Sequence, residues 1–190
     1  MKLVILDRDG TINSDSDDFV KTPDEWVPLP GALEAIARLN HAGWHVVVAS
    51  NQSGLGRGLF DVAALNAMHA KMHKLLAAVG GRIDAVFYCP HSAEESCACR
   101  KPMPGLYEQI GVRFGMPLKG VPTAGDSLRD LQAGAAVGCE PHLVLTGKSV
   151  RYAAGGQPEG LPAGTVLHQD LSAFVDFILE RSARPLLEDV

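Results

Sequence analysis

Two carboxylates one residue apart, Asp7 and Asp9, close the apolar run Leu3-Val4-Ile5-Leu6, and Gly10 follows at once. Such a run reads as a strand buried on both faces of a parallel sheet. In open sheets of that kind, ligands gather beyond the carboxyl ends of the strands. The two acids stand at that end, and Gly10 lets the backbone turn sharply there. Acids this close repel each other unless a cation or a shared proton holds them. A magnesium ion and a phosphate substrate would supply the cation and a use for it. An ordinary polar loop after a strand would show the same two acids, so the rest of the chain decides.

Other strand ends carry chemistry as well. Trp44 to Ala49 reads as a second buried strand that stops at Ser50-Asn51-Gln52-Ser53-Gly54-Leu55-Gly56-Arg57-Gly58. Ala85 to Tyr88 reads as a third, leading through the cysteine-rich loop 89–100 to Arg100 and Lys101. Val121 to Ala124 reads as a fourth, ending at Gly125-Asp126, with Asp130 four residues on. In a parallel sheet these ends share one edge, so the loops converge.

The elements that must position these residues alternate between strand and helix. Helical spacing covers 32–39 and stops at Gly43; Asp61 is placed to cap a helix running to about Val79. Further helices are expected from Pro104 to about Phe114, from Ser127 to Val137 and from Leu171 to Arg181. His142 to Leu145 and Thr165 to Leu167 complete the strands, residues 10–30 and 151–164 read as loop, and the tail 185–190 is expected to fray. The fold class is therefore α/β, a mostly parallel sheet with helices on both faces and right-handed crossovers. The 190 residues suit one domain, 1–190. The net charge of −5 argues against nucleic acid as partner, and no apolar run is long enough to span a membrane. The charged residues at 7–9 interrupt the N-terminal apolar run too early for a signal peptide, so a cytoplasmic protein is expected.

Cys89, His91, Cys97 and Cys99 put three sulfurs and one imidazole within a few residues. In a cytosolic chain this reads as a metal site rather than disulfides. Four such ligands suit zinc with no open position, hence a structural site. It would lock the loop that presents Arg100 and Lys101. Cys139 reads as core. His69 and His73, four apart on a helix, read as a solvated face, and the glycines at 54–58 lack the Gly-Lys-Ser/Thr of a nucleotide loop. Lys148 could face the site or solvent.

The order acid pair, hydroxyl, lysine, acid resembles the four motifs of the haloacid dehalogenase (HAD) superfamily, most of whose members are phosphatases. The resemblance runs to about residue 148. It implies Asp7 as nucleophile, Asp9 as general acid and base, Ser50 as a donor to the phosphoryl group and Lys101 as its cation. It implies a magnesium ion on Asp7, Asp126 and the backbone carbonyl of Asp9, with Asp130 orienting that shell from outside. The gaps between the motifs leave no room for a separate cap domain. Loops would then read the substrate, through Asp15, Ser16, Asp17, Asp18, Asn51, Gln52, Ser53, Arg57 and Arg100. Cys-Pro-His, then Cys-Ala-Cys-Arg-Lys-Pro, with the Ser50–Gly58 and Arg100–Gly105 stretches, resembles the D-glycero-D-manno-heptose 1,7-bisphosphate 7-phosphatases. The related histidinol-phosphatases usually have aspartate at Ser53 and lack Arg57. One departure stands out: Ser127 occupies a position where the heptose enzymes often carry lysine. The expectation is a magnesium-dependent sugar bisphosphatase that also holds zinc and acts as a monomer on a small sugar phosphate. The alternatives are a histidinol-phosphatase and a non-catalytic zinc-containing module that binds phosphate ligands.

Overall fold

The computed structural model describes residues 1–183, so the tail 185–190 lies outside the described residues. Six strands form one parallel sheet: β1 (Lys2–Leu6), β2 (Trp44–Asn51), β3 (Ala85–Cys89), β4 (Pro122–Gly125), β5 (Glu140–Val144) and β6 (Val166–His168). Their order is β3-β2-β1-β4-β5-β6. β1 pairs with β2 over five residues, Lys2 against Trp44 to Leu6 against Val48, and with β4 at Ile5 and Leu6.

The near-continuous apolar strands follow from burial on both faces. Val4, Leu6, Val46 and Val48 point to one side, against α1 (Ala32–His41), α3 (Val62–Ala78) and α6 (Leu171–Ala183). Leu3, Ile5, Val47 and Ala49 point to the other, against α4 (Gly105–Phe114), with Ala133 of α5 (Leu128–Ala135) in the same cluster. Asp61 caps α3 as its position suggested, its carboxylate accepting from the Ala64 N–H at 2.8 Å. Gly115, at φ 63°, ends α4 in the left-handed conformation.

The long connection from β1 to α1 is packed, not loose. Ile12, Val20 and Trp26 are buried in the first core cluster. Lys71 of α3 donates to the carbonyls of Pro23 and Trp26 at 2.6 and 2.8 Å, tying that loop to the helix. Two elements depart from the sequence reading. Ser53–Gly56 forms a one-turn helix, α2, where a glycine-rich loop was expected, and Gly147–Tyr152 is a 3-10 helix. Neither is long enough to leave a periodic signal. Among the described residues every strand joins the one sheet. No described helix is long and apolar enough to cross a membrane.

Candidate active site

The strand order reverses direction between β1 and β4, and a crevice opens at such a switch point. Asp7 leaves β1 there and Asp126 leaves β4. A cavity of about 260 Å³ lies over them, with Asp9, Asp15, Asn51, Arg57, Arg100, Lys101, Arg129 and Lys148 among its lining residues.

Lys101 is the charge at its floor, and its side chain is buried. Its ammonium sits 2.8 Å from Asp7 Oδ1 and 2.7 Å from Asp130 Oδ1, and donates to the Ala49 carbonyl at 2.6 Å. Burial alone would lower its pKa, but Asp130 and Asp7 outweigh that and hold it above the ordinary lysine value. Burial pushes Asp7 up to about 7, and repulsion from Asp130 adds to this while Lys101 opposes it. Asp126 is also raised well above the usual carboxylate value, by burial and then by Asp130 and Asp7. Three clustered buried acids, two of them paired with Lys101, leave the cluster short of positive charge.

Ligand oxygens of Asp7, Asp126 and Asp130 all lie within 4.8 Å of one another. Clustered carboxylate oxygens are hard donors of the kind that suits magnesium, so this donor set fits a hard divalent cation. Asp130 is already engaged elsewhere. Its Oδ1 faces Lys101, and its Oδ2 accepts from the Ser127 amide and hydroxyl at 3.0 and 2.7 Å, as part of the box that caps α5. Asp126 Oδ2 accepts from the Lys148 N–H at 2.7 Å, at the start of the 3-10 helix. Gly10 and Gly147, both at positive φ, lie against the same carboxylate, and a Cβ at either would collide with it.

Asp9 lines the cleft beside this cluster. Its carboxylate accepts from Arg8, from Asn13 Nδ2 at 2.8 Å and from Gln52 Nε2 at 2.9 Å. Ser50 is buried, and its hydroxyl accepts from Gln52 Nε2 at 2.7 Å. Asn51 grips the Lys101 backbone at two points, its amide donating to the carbonyl and its oxygen accepting from the N–H, each at 3.0 Å. It therefore ties the end of β2 to the loop that carries the lysine. Ser16, Asp17, Gln52 and Ser53 also line the cavity, whereas Asp18 is exposed and lines only a separate hollow with Asp15 and Ser16.

Sequence reasoning missed several residues here. Arg129 lines the cleft from the first turn of α5, and its signal was a spacing of three residues after Asp126. Lys148, left undecided, faces the site: its side chain pairs with Asp15 at 3.2 Å. The solvated reading of His69 is corrected. The ring is partly buried and its Nε2 lies 3.1 Å from Arg8 Nη1. A lone buried arginine, Arg8, draws that face of α3 inward, which helical periodicity alone does not reveal. His73 is exposed as expected.

The four metal-type residues beyond β3 come together. Cys99 Sγ lies 3.1 Å from Cys89 Sγ and 3.3 Å from His91 Nδ1, and Cys89 Sγ lies 3.8 Å from Cys97 Sγ. A tetrahedron with zinc–sulfur bonds of about 2.3 Å has edges of about 3.8 Å; Cys89–Cys97 matches that edge, Cys89–Cys99 is tighter, and three sulfurs with one imidazole are a donor set that suits zinc. All four cysteines of the chain are free thiols, with Cys139 in the core.

Comparison with known proteins adds to this geometry. The sequence model of the polynucleotide kinase 3 phosphatase family matches residues 2–119, and that of a HAD-hydrolase-like family matches residues 98–168. The D-glycero-beta-D-manno-heptose-1,7-bisphosphate 7-phosphatase of Bordetella bronchiseptica is 58% identical over 182 residues, 96% of this chain and all of that protein. The chain belongs to the heptose-1,7-bisphosphate 7-phosphatase family of HAD-type proteins. The Pseudomonas aeruginosa member is 52% identical over 94% of this chain and 98% of its own length. The crystal structure of the B. bronchiseptica family member, complexed with magnesium and phosphate, superposes with a TM-score of 0.91 and covers 95% of this chain and 99% of that one.

Proposed function

We propose that this chain is a magnesium-dependent phosphatase that removes the 7-phosphate of D-glycero-D-manno-heptose 1,7-bisphosphate, a step in making nucleotide-activated heptose for lipopolysaccharide. The observation that carries the proposal is the cluster of Asp7, Asp126, Asp130 and Lys101 at the switch point, in a chain collinear with relatives bearing that name. Asp7, Asp126 and the Asp9 carbonyl would hold magnesium. When bound, it neutralises charge on the phosphoryl oxygens.

The chain's own groups do the rest. Asp7 attacks phosphorus, the bond from phosphorus to the sugar oxygen breaks, and an aspartyl phosphate forms. Asp9 gives its proton to the departing alkoxide, then takes one from the water that releases phosphate. Lys101 supplies positive charge beside Asp7, and Ser50 supplies a hydroxyl near the phosphoryl group. Asp130 holds Lys101 in place and so acts from outside the metal shell. Arg100 and Arg57, at the mouth, suit the anionic and hydroxyl-rich remainder of a sugar bisphosphate. The Cys89, His91, Cys97 and Cys99 cluster would hold one structural zinc. Cysteines without disulfides suit a reducing compartment such as the cytoplasm.

The test is phosphate release with magnesium from heptose 1,7-bisphosphate, from histidinol phosphate and from other sugar bisphosphates. Turnover of the heptose substrate that Asp7→Asn abolishes supports the proposal. Faster turnover of histidinol phosphate overturns the substrate assignment, and binding without turnover overturns the enzyme.

A further inference from the structure

Arg8 lies between the two site acids in sequence and is completely buried. A buried guanidinium needs partners for all its N–H groups. One edge faces Asp9: Nε donates to Oδ1 at 3.1 Å, and Nη2 donates to Oδ1 and Oδ2 at 2.9 and 3.1 Å. Nη2 also reaches Gln52 Oε1 at 3.3 Å. At the far end, Nη1 lies 3.1 Å from His69 Nε2. Among the described residues no other side chain accepts from Nη1. Arginine has only donors, so His69 Nε2 must accept, which fixes a neutral ring carrying its proton on Nδ1.

We infer that His69 is a positioning residue for Asp9: its Nε2 pins the Arg8 guanidinium, and the guanidinium in turn sets the plane of the Asp9 carboxylate. The inference rests on Asp9 being the general acid and base. Burial first, and the charge of Arg8 next, push His69 down to about 4, so the ring stays neutral at working pH. Asn13 and Gln52 hold the same carboxylate from other directions. Gln52 also meets the guanidinium itself, but at Nη2, so the Nη1 end is held by His69 and by neither of these amides. Without an acceptor at Nη1 the buried guanidinium would turn to find one and would carry Asp9 with it.

A misdirected general acid matters only when the leaving group needs a proton. His69→Ala should therefore lower kcat about tenfold on a sugar phosphate, a fraction of the roughly 10²–10⁴-fold that general acid–base catalysis supplies. KM should stay within about twofold, because magnesium and phosphate contacts are untouched. The first-turnover release of alcohol from an aryl phosphate, whose phenolate leaves unaided, should fall far less. His69→Gln places an amide oxygen near the Nε2 position and should recover most of the rate, while His69→Asn should not. His73→Ala, one turn along on the exposed face, should match the unchanged protein. Thermal melting of each variant separates misfolding from misalignment.

Equal losses on both substrates, or no loss, or equal behaviour of the Gln and Asn variants, overturns the inference. Asp9→Asn is measured alongside. If Asp9→Asn spares the aryl phosphate and His69→Ala does not, only the role of His69 fails. If Asp9→Asn does not discriminate between the substrates, the reading of Asp9 fails and takes the role of His69 with it.

Discussion

A single ammonium holds the floor of the cleft together. Lys101 Nζ faces two buried carboxylates and a backbone carbonyl, all within 2.8 Å. Breaking a buried pair by removing one partner costs about 3–5 kcal/mol, because the remaining charge stays buried and uncompensated. Lys101→Met should lower the melting temperature by about 10 °C at neutral pH, as seen by calorimetry. Phosphate release should fall by roughly 10²–10³-fold. Lys101→Arg should not restore activity, because a planar fork cannot meet three acceptors converging on one point. Asp7 and Asp126 were legible in the sequence because each follows a strand directly and strand ends share an edge; Lys101 was legible because the loop after β3 leads to it in the order acid pair, hydroxyl, lysine, acid. Arg8, His69 and Arg129 were not. Their partners are set by how a helix rolls against the sheet, and an arginine between two acids reads from sequence as one more solvated charge. Asn51 and Gln52 illustrate a different limit. Sequence placed them among the substrate groups, and both line the cleft, yet their amides are spent on Lys101, Asp9 and Ser50. Asparagine and glutamine offer donors and acceptors to any neighbour, so composition cannot say which neighbour wins.

At the scale of elements, the segment from the end of β3 to the start of α4 is the one that chemistry must hold in shape. It carries Cys89, His91, Cys97, Cys99, Arg100 and Lys101 and has no regular secondary structure between Cys89 and Gly105. Arg100 Nη1 reaches back to the His91 carbonyl at 3.4 Å, and Asn51 clamps Lys101 from β2. A metal held by four side chains contributes folding free energy directly. The chain should therefore contain about one zinc per molecule by metal analysis. Stripping it with a chelator, or replacing Cys97 with serine, should lower both melting temperature and kcat, and returning zinc to the stripped protein should restore both. Unchanged melting after complete removal would show that the loop holds itself. Strands and helices were legible because continuous apolar runs, helical periodicity and capping residues write themselves into sequence. The 3-10 helix at Gly147–Tyr152 was not, although the Lys148 N–H near its start donates to Asp126. Its existence depends on glycines, Gly10 and Gly147, that let two backbones close on one carboxylate, and each glycine alone reads only as a turn.

The whole molecule separates chemistry from a second buried polar pair. The reversal of strand order between β1 and β4 fixes the cleft on one part of the sheet edge. On β5 and β6, beneath α6, His142 Nδ1 lies 3.0 Å from His168 Nε2, and both rings pack against Phe174 and Phe177. Burial pushes His142 down to about 3, with His168 and then Arg181 adding to it, and burial pushes His168 down to about 4. The folded protein therefore binds fewer protons at this pair than the unfolded chain does once pH drops below about 6.5. The contribution is complete above that value and is lost as pH falls toward 4. Each pH unit inside the window costs up to about 1.4 kcal/mol per histidine, a few degrees of melting temperature. Asp7, raised to about 7, works in the opposite sense over part of the same range, because its folded form holds a proton that the unfolded form releases. The pair's share is thus read as a difference. A His142→Phe, His168→Leu double variant, melted beside the unchanged protein with magnesium present, should lose the steeper decline between pH 6.5 and 5 while keeping its activity at pH 7.5. Parallel melting curves across that range would mean the two rings already accept protons in the folded state. The hydrogen bond between them could then not persist, since a doubly protonated pair offers no acceptor.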